Sequence, residues 1–232
     1  MLWILLGCAL NYQEDGHLKS ITVEQTYSAH HYNFNRAIKS SVKIISLDSE
    51  YENLGHGSGN YFKIGRDKFI LSAAHLVTED ADLFADDGIR YVRLVPIYVN
   101  IDEDIAILIP EAALDTVEAV DYRISKKKNL LGNSVVYAGY PSNLEKSVYN
   151  GMISKCSGEM ILMQSFALPG SSGSVVFDNS GKAIGVVSAV KMSYNAYSPF
   201  PQMHPGLVYV SRVIQYDRSM IKEVIKLWKT SK

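Results

Sequence analysis

A chain of 232 residues, 47% of them hydrophobic, has enough apolar material for one large domain or two small ones sharing a core. Lys plus Arg total 23 and Asp plus Glu total 24, a formal net charge of -1, which argues against nucleic acid or an anionic membrane surface as a partner. Two cysteines, Cys8 and Cys156, do not make a disulfide framework, so packing has to hold the fold, and Cys156 reads as a buried or idle thiol.

The first ten residues, Met1 to Leu10, are mostly apolar but shorter than the roughly 20 residues a membrane-spanning helix needs. They lack the basic n-region of a secretory signal. Leu5-Leu6-Gly7-Cys8 resembles a bacterial lipobox, in which Cys8 would be acylated and would anchor a secreted protein to a membrane. The alternative is an apolar terminus that packs on the body or frays, in a cytoplasmic protein. Residues 11 to about 38 are polar and irregular and read as a surface arm or linker, so residues 1–40 form one N-terminal segment. His17, His30 and His31 lie there without the cysteine partners and spacing of a zinc site. No metal and no cofactor is expected.

From Ser41 the pattern changes to short β-rich runs separated by Gly, Asn, Asp and Ser. They are 42–46, 61–64, 69–72, 91–99, 105–109, 134–138, 160–164, 174–177, 183–190 and 207–210. Many short strands with frequent turn signals predict an all-β sandwich or barrel. The last segment, 217–232, is different. Met220, Ile221, Val224, Ile225, Leu227 and Trp228 recur at helical spacing, with Lys222, Glu223, Lys226 and Lys229 opposite. This predicts a C-terminal amphipathic helix, capped by Asp217 or Ser219, whose apolar stripe covers the body.

Three stretches carry residues suited to chemistry. In Phe69-Ile70-Leu71-Ser72-Ala73-Ala74-His75, a β-run ends in two small residues and then a histidine, the usual general base near neutral pH. In Asp102-Glu103-Asp104-Ile105-Ala106-Ile107-Leu108, three acids compete; Asp104 alone abuts the apolar run and is placed to be the most buried. A carboxylate there can accept the imidazole N–H and fix its tautomer. In Gly170-Ser171-Ser172-Gly173-Ser174, Gly170 can take positive φ, letting its N–H and that of Ser172 point at one spot as an oxyanion hole. Ser172 is then the nucleophile and His75 its base. Each stretch alone also fits a strand end or hairpin turn. Together they run His, Asp, Ser, the chain order of the chymotrypsin-type triad and not of subtilisin or α/β-hydrolases.

On these motifs the sequence resembles the trypsin-like serine proteases, and most of all the compact bacterial and viral members, including HtrA-type protease domains. Gly57-Ser58-Gly59 is similar to the motif that opens the strand before the histidine, and Gly185-Val186-Val187-Ser188 to the strand that pairs with substrate. The resemblance spans roughly residues 40 to 215. It implies two antiparallel Greek-key β-barrels, 41–118 and 119–216, with the C-terminal helix after them. It also implies a serine endopeptidase that cleaves protein or peptide substrates through an acyl-enzyme. The side chain before the cut would meet Phe166, Ala167, Ser188, Ala189, Val190 and the region of Gly206, which predicts an apolar or small residue there. The sequence departs from the family in several places. No Cys follows His75, Ser171 stands where Asp or Asn is common, and Ser174 replaces the last Gly of the serine motif. No Ile-Val-Gly-Gly-like start appears, and no room for a PDZ domain is expected after residue 215. The rival reading keeps the fold without the activity: an inactive binding module with misaligned triad residues.

Overall fold

The computed structural model describes residues 32–48, 50, 53–78, 81–158, 160–193 and 202–231. Cys8, His17, His30 and His31, with the lipobox and zinc readings attached to them, lie outside the described residues.

The strands form two closed barrels of six antiparallel strands each. The first uses β1 (Ser41–Leu47), β2 (Asn53–Ile64), β3 (Asp67–Ser72), β4 (Asp82–Asp86), β5 (Tyr91–Asn100) and β6 (Ile105–Pro110). Around the barrel they run β1-β2-β3-β6-β5-β4. A two-residue strand, β7 (Val120–Asp121), pairs parallel with β2 outside that ring. The second barrel uses β8 (Ser134–Gly139), β9 (Ser147–Ser157), β10 (Met160–Gln164), β11 (Val175–Asp178), β12 (Ala183–Ser193) and β13 (Gln202–Arg212). Their order, β8-β9-β10-β13-β12-β11, repeats that of the first barrel. The predicted all-β class and paired barrels are therefore observed.

Strand alternation sorts the core into three parts. Val42, Ile44, Tyr61, Ile70, Ala106 and Leu108 fill the first barrel. Tyr137, Ile161, Met163, Val176, Val208 and Val210 fill the second. The opposite faces of β2, β3 and β6 supply Phe62, Phe69, Leu71, Ile105 and Ile107 to a third cluster, together with Val175, Phe177 and Val186 of the second barrel. Phe62 and Phe69 meet the Tyr122 ring edge-on, at 5.1 and 5.3 Å between centroids. Strand β6 is buried on both faces, which is why its sequence is an unbroken apolar run.

The C-terminal helix is present as α2 (Arg218–Thr230), numbered after a helix α1 described below. Asp217 is its cap and accepts the backbone N–H groups of Ser219 and Met220. Ile221 and Ile225 press into the shared core. Cys156 is a free, half-buried thiol.

One expectation fails. The end of the supposed irregular arm is the helix α1 (Tyr32–Ser40). Its buried face is Asn33, Arg36, Ala37 and Ser40, spaced as a helix requires but mostly polar, so apolar periodicity did not reveal it. The face is satisfied by specific partners. Arg36 donates to the Asp121 carbonyl and its guanidinium lies 5.9 Å from the Phe177 ring centroid. Ser40 accepts from the Asn60 amide at 2.8 Å.

Candidate active site

Pairing of β3 with β6 brings the histidine and aspartate stretches to one sheet edge: Ser72 lies opposite Ala106, three residues before His75 and two after Asp104. Ala73 and Ala74 are fully buried at the strand end, so small side chains are needed to seat the short 3-10 turn Ala74–Leu76 that presents His75. On the other side, Asp104 closes a tight loop with φ of +52°, unusual for a residue with a side chain. Its N–H donates to the Ile101 carbonyl at 3.2 Å, and the Asn100 side chain accepts the Glu103 N–H at 3.1 Å.

The imidazole Nδ1–H of His75 lies 2.9 Å from both carboxylate oxygens of Asp104. The backbone N–H of His75 donates to Asp104 Oδ1, also at 2.9 Å. The His75 side chain is 45% exposed while that of Asp104 is only 17% exposed, so the ring is far more open to solvent than its carboxylate partner. Burial pushes the Asp104 carboxyl up. The hydrogen bonds from the His75 ring, the Ser188 hydroxyl and the His75 backbone outweigh it and hold the group below the ordinary carboxylate value. Of the three competing acids, Asp104 is the one on the imidazole. Glu103 turns away and accepts the phenol of Tyr216.

Ser172 sits in the turn between β10 and β11. Gly170 has φ of +95° and Gly173 has φ of +89°. A Cβ on Gly173 would lie 1.9 Å from the Ser58 carbonyl, so only glycine fits there. The first barrel grips this turn directly. Ser58 N–H donates to the Ser172 carbonyl at 2.7 Å, and Ser58 Oγ donates to the Gly170 carbonyl at 2.7 Å. The backbone N–H groups of Gly170 and Ser172 donate to no other described residue. Ser171 is buried, and its hydroxyl accepts the Leu168 N–H at 3.3 Å.

Ser188 belongs to this site in a way the sequence did not show. Register shifts between Val187 and Ala189, so Ser188 is the extra residue of a β-bulge in β12. Its hydroxyl donates to Asp104 Oδ2, and its carbonyl accepts the Ser172 hydroxyl at 3.4 Å. Among the described residues, no hydrogen bond joins Ser172 to His75 in this state. The sequence had placed Ser188 among the residues that meet substrate, and not as a partner of Asp104.

A cavity of about 230 Å³ opens beside Ser172, lined by Ala167, Leu168, Pro169, Ser171, Val187, Ala189 and Val190. Among the described residues, no charged one lines it. Ala167, Ala189 and Val190 were expected there. Phe166 and Ser188 were too, but they do not line it. Phe166 tilts onto the Tyr149 ring, 5.8 Å between centroids, and Ser188 is turned to Asp104 by its bulge.

Comparison with known proteins agrees with this architecture. No curated protein matches the sequence. The Rv3671c protease from M. tuberculosis, in its active form, is similar in structure, with a TM-score of 0.62 at 18% identity over 78% of this chain and 79% of that one. The serine endoprotease from Yersinia pestis has a TM-score of 0.64 at 17% identity, over 86% of this chain and 68% of that one. The trypsin-like peptidase domain family matches residues 57–186, more than half of the sequence. The chain therefore belongs to the trypsin-like peptidase family and has the serine-protease fold.

Proposed function

We propose that the protein is a serine endopeptidase with His75, Asp104 and Ser172 as its triad. The observation that carries this reading is the position of Ser188, which touches Asp104 with its hydroxyl and Ser172 with its carbonyl. Ser172 and Asp104, the partner of His75, thus share one contact residue, which supports the reading. The reading requires that rotation about the Ser172 Cα–Cβ bond carry its hydroxyl off the Ser188 carbonyl to the exposed imidazole. Such hydrogen bonds commonly tighten only once substrate is bound.

Ser172 Oγ attacks the scissile carbonyl as His75 takes its proton. The negative charge on the carbonyl oxygen is met by the unpaired N–H groups of Gly170 and Ser172. His75 then protonates the leaving amine. Water resolves the acyl-enzyme by the same route. Asp104, held ionised, keeps the proton on Nδ1 so that the other ring nitrogen faces the hydroxyl, and it stabilises the imidazolium. The uncharged cavity beside Ser172 takes an apolar or small side chain before the cut. The likeness to two proteases in the solved structures supports protein or peptide as substrate.

Labelling by a fluorophosphonate probe and casein hydrolysis test the reading. Wild type should label and hydrolyse; Ser172→Ala should do neither, a loss on the order of 10⁴ or more in rate. The second reading is a binding module of the same fold. It is favoured by the Ser172 hydroxyl resting on Ser188 rather than His75. It requires that wild type, correctly folded, fails to label.

A further inference from the structure

We propose that His56 is a positioning residue that aims the Gly170 N–H into the site; this rests on the protease reading above. His56 lies on β2, opposite Ile45 of β1 and two residues before Ser58. Its Nε2 is 3.0 Å from the Tyr140 carbonyl, and a carbonyl only accepts, so this nitrogen carries the proton. Burial pushes the imidazole below its ordinary value, against the Tyr140 carbonyl, which pulls it up; Lys43 adds to the lowering. The ring donates in its neutral form.

Two contacts lead from His56 to Gly170. The first is steric. A Cβ built on Gly170 would lie 2.3 Å from His56 Nε2 and 2.5 Å from the Tyr140 carbonyl oxygen. The ring thus occupies the space beside the Gly170 α-carbon and walls it on that face. The second runs through the turn that Tyr140 begins. Pro141–Asn143 is a 3-10 turn with Tyr140 as its N-cap, and Ser142 within it has φ of +48°. The Ser142 N–H donates to the Pro169 carbonyl at 2.7 Å. The Pro169 carbonyl and the Gly170 N–H belong to one planar trans peptide, and there they point in opposite directions. Holding the oxygen at Ser142 therefore fixes where the Gly170 N–H points. The Gly170 carbonyl is held separately by Ser58. Without the His56 ring, the flexible glycine has room to rotate and the Tyr140 carbonyl loses its donor. The turn that carries Ser142 is then less firmly anchored, and the Pro169–Gly170 peptide that it holds can tilt its N–H away.

The test compares His56→Ala, His56→Leu and His56→Gln with wild type in steady-state hydrolysis of a chromogenic peptide, together with inhibition by a peptide aldehyde, whose hemiacetal oxygen needs the same donors. Losing an oxyanion donor typically costs about 10²–10³ in kcat. The expected result is a fall of about 10² in kcat for Ala and Leu with KM within about twofold, and a parallel loss of aldehyde affinity. His56→Gln, which can still donate to Tyr140, should recover most of it. Leu fills the space without the donor, so it decides the question even if Ala misfolds. Unchanged kcat in the Leu variant, a change confined to KM, or Gln no better than Leu would overturn the proposal while leaving the protease reading intact. If wild type neither hydrolyses nor labels, the protease reading fails first and this inference with it.

Discussion

Ser188 donates its hydroxyl to Asp104 from the crest of a β-bulge, and it does so at Oδ2, one of the two oxygens that the His75 ring also reaches. A hydrogen bond to a charged group contributes about 1.5–3 kcal/mol, and each 1.4 kcal/mol is a factor of ten. Ser188→Ala should therefore lower kcat/KM about tenfold or more, because Asp104 keeps His75 but loses its second anchor. The bulge is a backbone feature, so the melting temperature should change by no more than a few degrees. Steady-state kinetics and a thermal melt on the same preparation check both halves.

Gly170→Ala removes the freedom that positive φ demands and drives a methyl group against His56 and Tyr140. The variant should lose at least about 10² in kcat as the Gly170 N–H is displaced. Labelling kinetics with a fluorophosphonate would measure it. Labelling at the wild-type rate would contradict the role given to this turn.

The loop carrying Asp104 is tied to the lead-in of α2 by Tyr216, which donates to Glu103 and accepts from the Asn100 amide at 3.2 Å. Tyr122 in turn donates to the Tyr216 carbonyl at 2.7 Å. Tyr216→Phe leaves Glu103 and Asn100 without that partner next to a residue already in the left-handed region. Catalysis should fall by up to about tenfold, the worth of one charge-assisted hydrogen bond, with KM nearly unchanged. Kinetics of Tyr216→Phe beside Glu103→Gln, which keeps an acceptor for the phenol, separate positioning from general loosening.

Acid should destabilise the fold through its held carboxylates. Asp104 is one. Asp178 is another: burial raises its carboxyl, but the Ser180 hydroxyl and the N–H groups of Lys182 and Ser180 hold it below the ordinary value of 3.8. With folded values below unfolded ones, the unfolded chain takes up protons first. The contribution is complete above 3.8 and is lost as pH falls through the folded values. Melting temperature followed from pH 7 to pH 2 should hold to near pH 4 and then drop, and Asp178→Asn should shrink the drop.

The strands read from the sequence are those whose apolar runs end at turn residues. Two escaped. Strand β4 reads Asp-Leu-Phe-Ala-Asp, bracketed by acids, and β9 interleaves Asn, Gly, Ser and Lys along a half-exposed ribbon. The triad stretches were legible because each sits at the end of a buried run, where a polar residue has a reason to be. Ser188 was expected to meet substrate and not to hold Asp104, and His56 was not singled out. Their roles depend on a bulge and on a contact between barrels, and spacing along the chain encodes neither.

The polar links between the barrels mostly pair a side chain of the first with main-chain atoms of the second, as where the Ser58 hydroxyl donates to the Gly170 carbonyl and the Ser41 hydroxyl to the Ala138 carbonyl. Ser58 also binds the Ser172 carbonyl through its N–H, while within the first barrel its own carbonyl accepts the Ser72 hydroxyl at 2.8 Å. Asn60 accepts the Val175 N–H at 2.8 Å. The placement of Ser172 beside the first barrel is thus set at this joint, and neither half holds it alone. Surfaces elsewhere can be rebuilt widely without disturbing it, while one added methyl at Gly173 would wedge the halves apart.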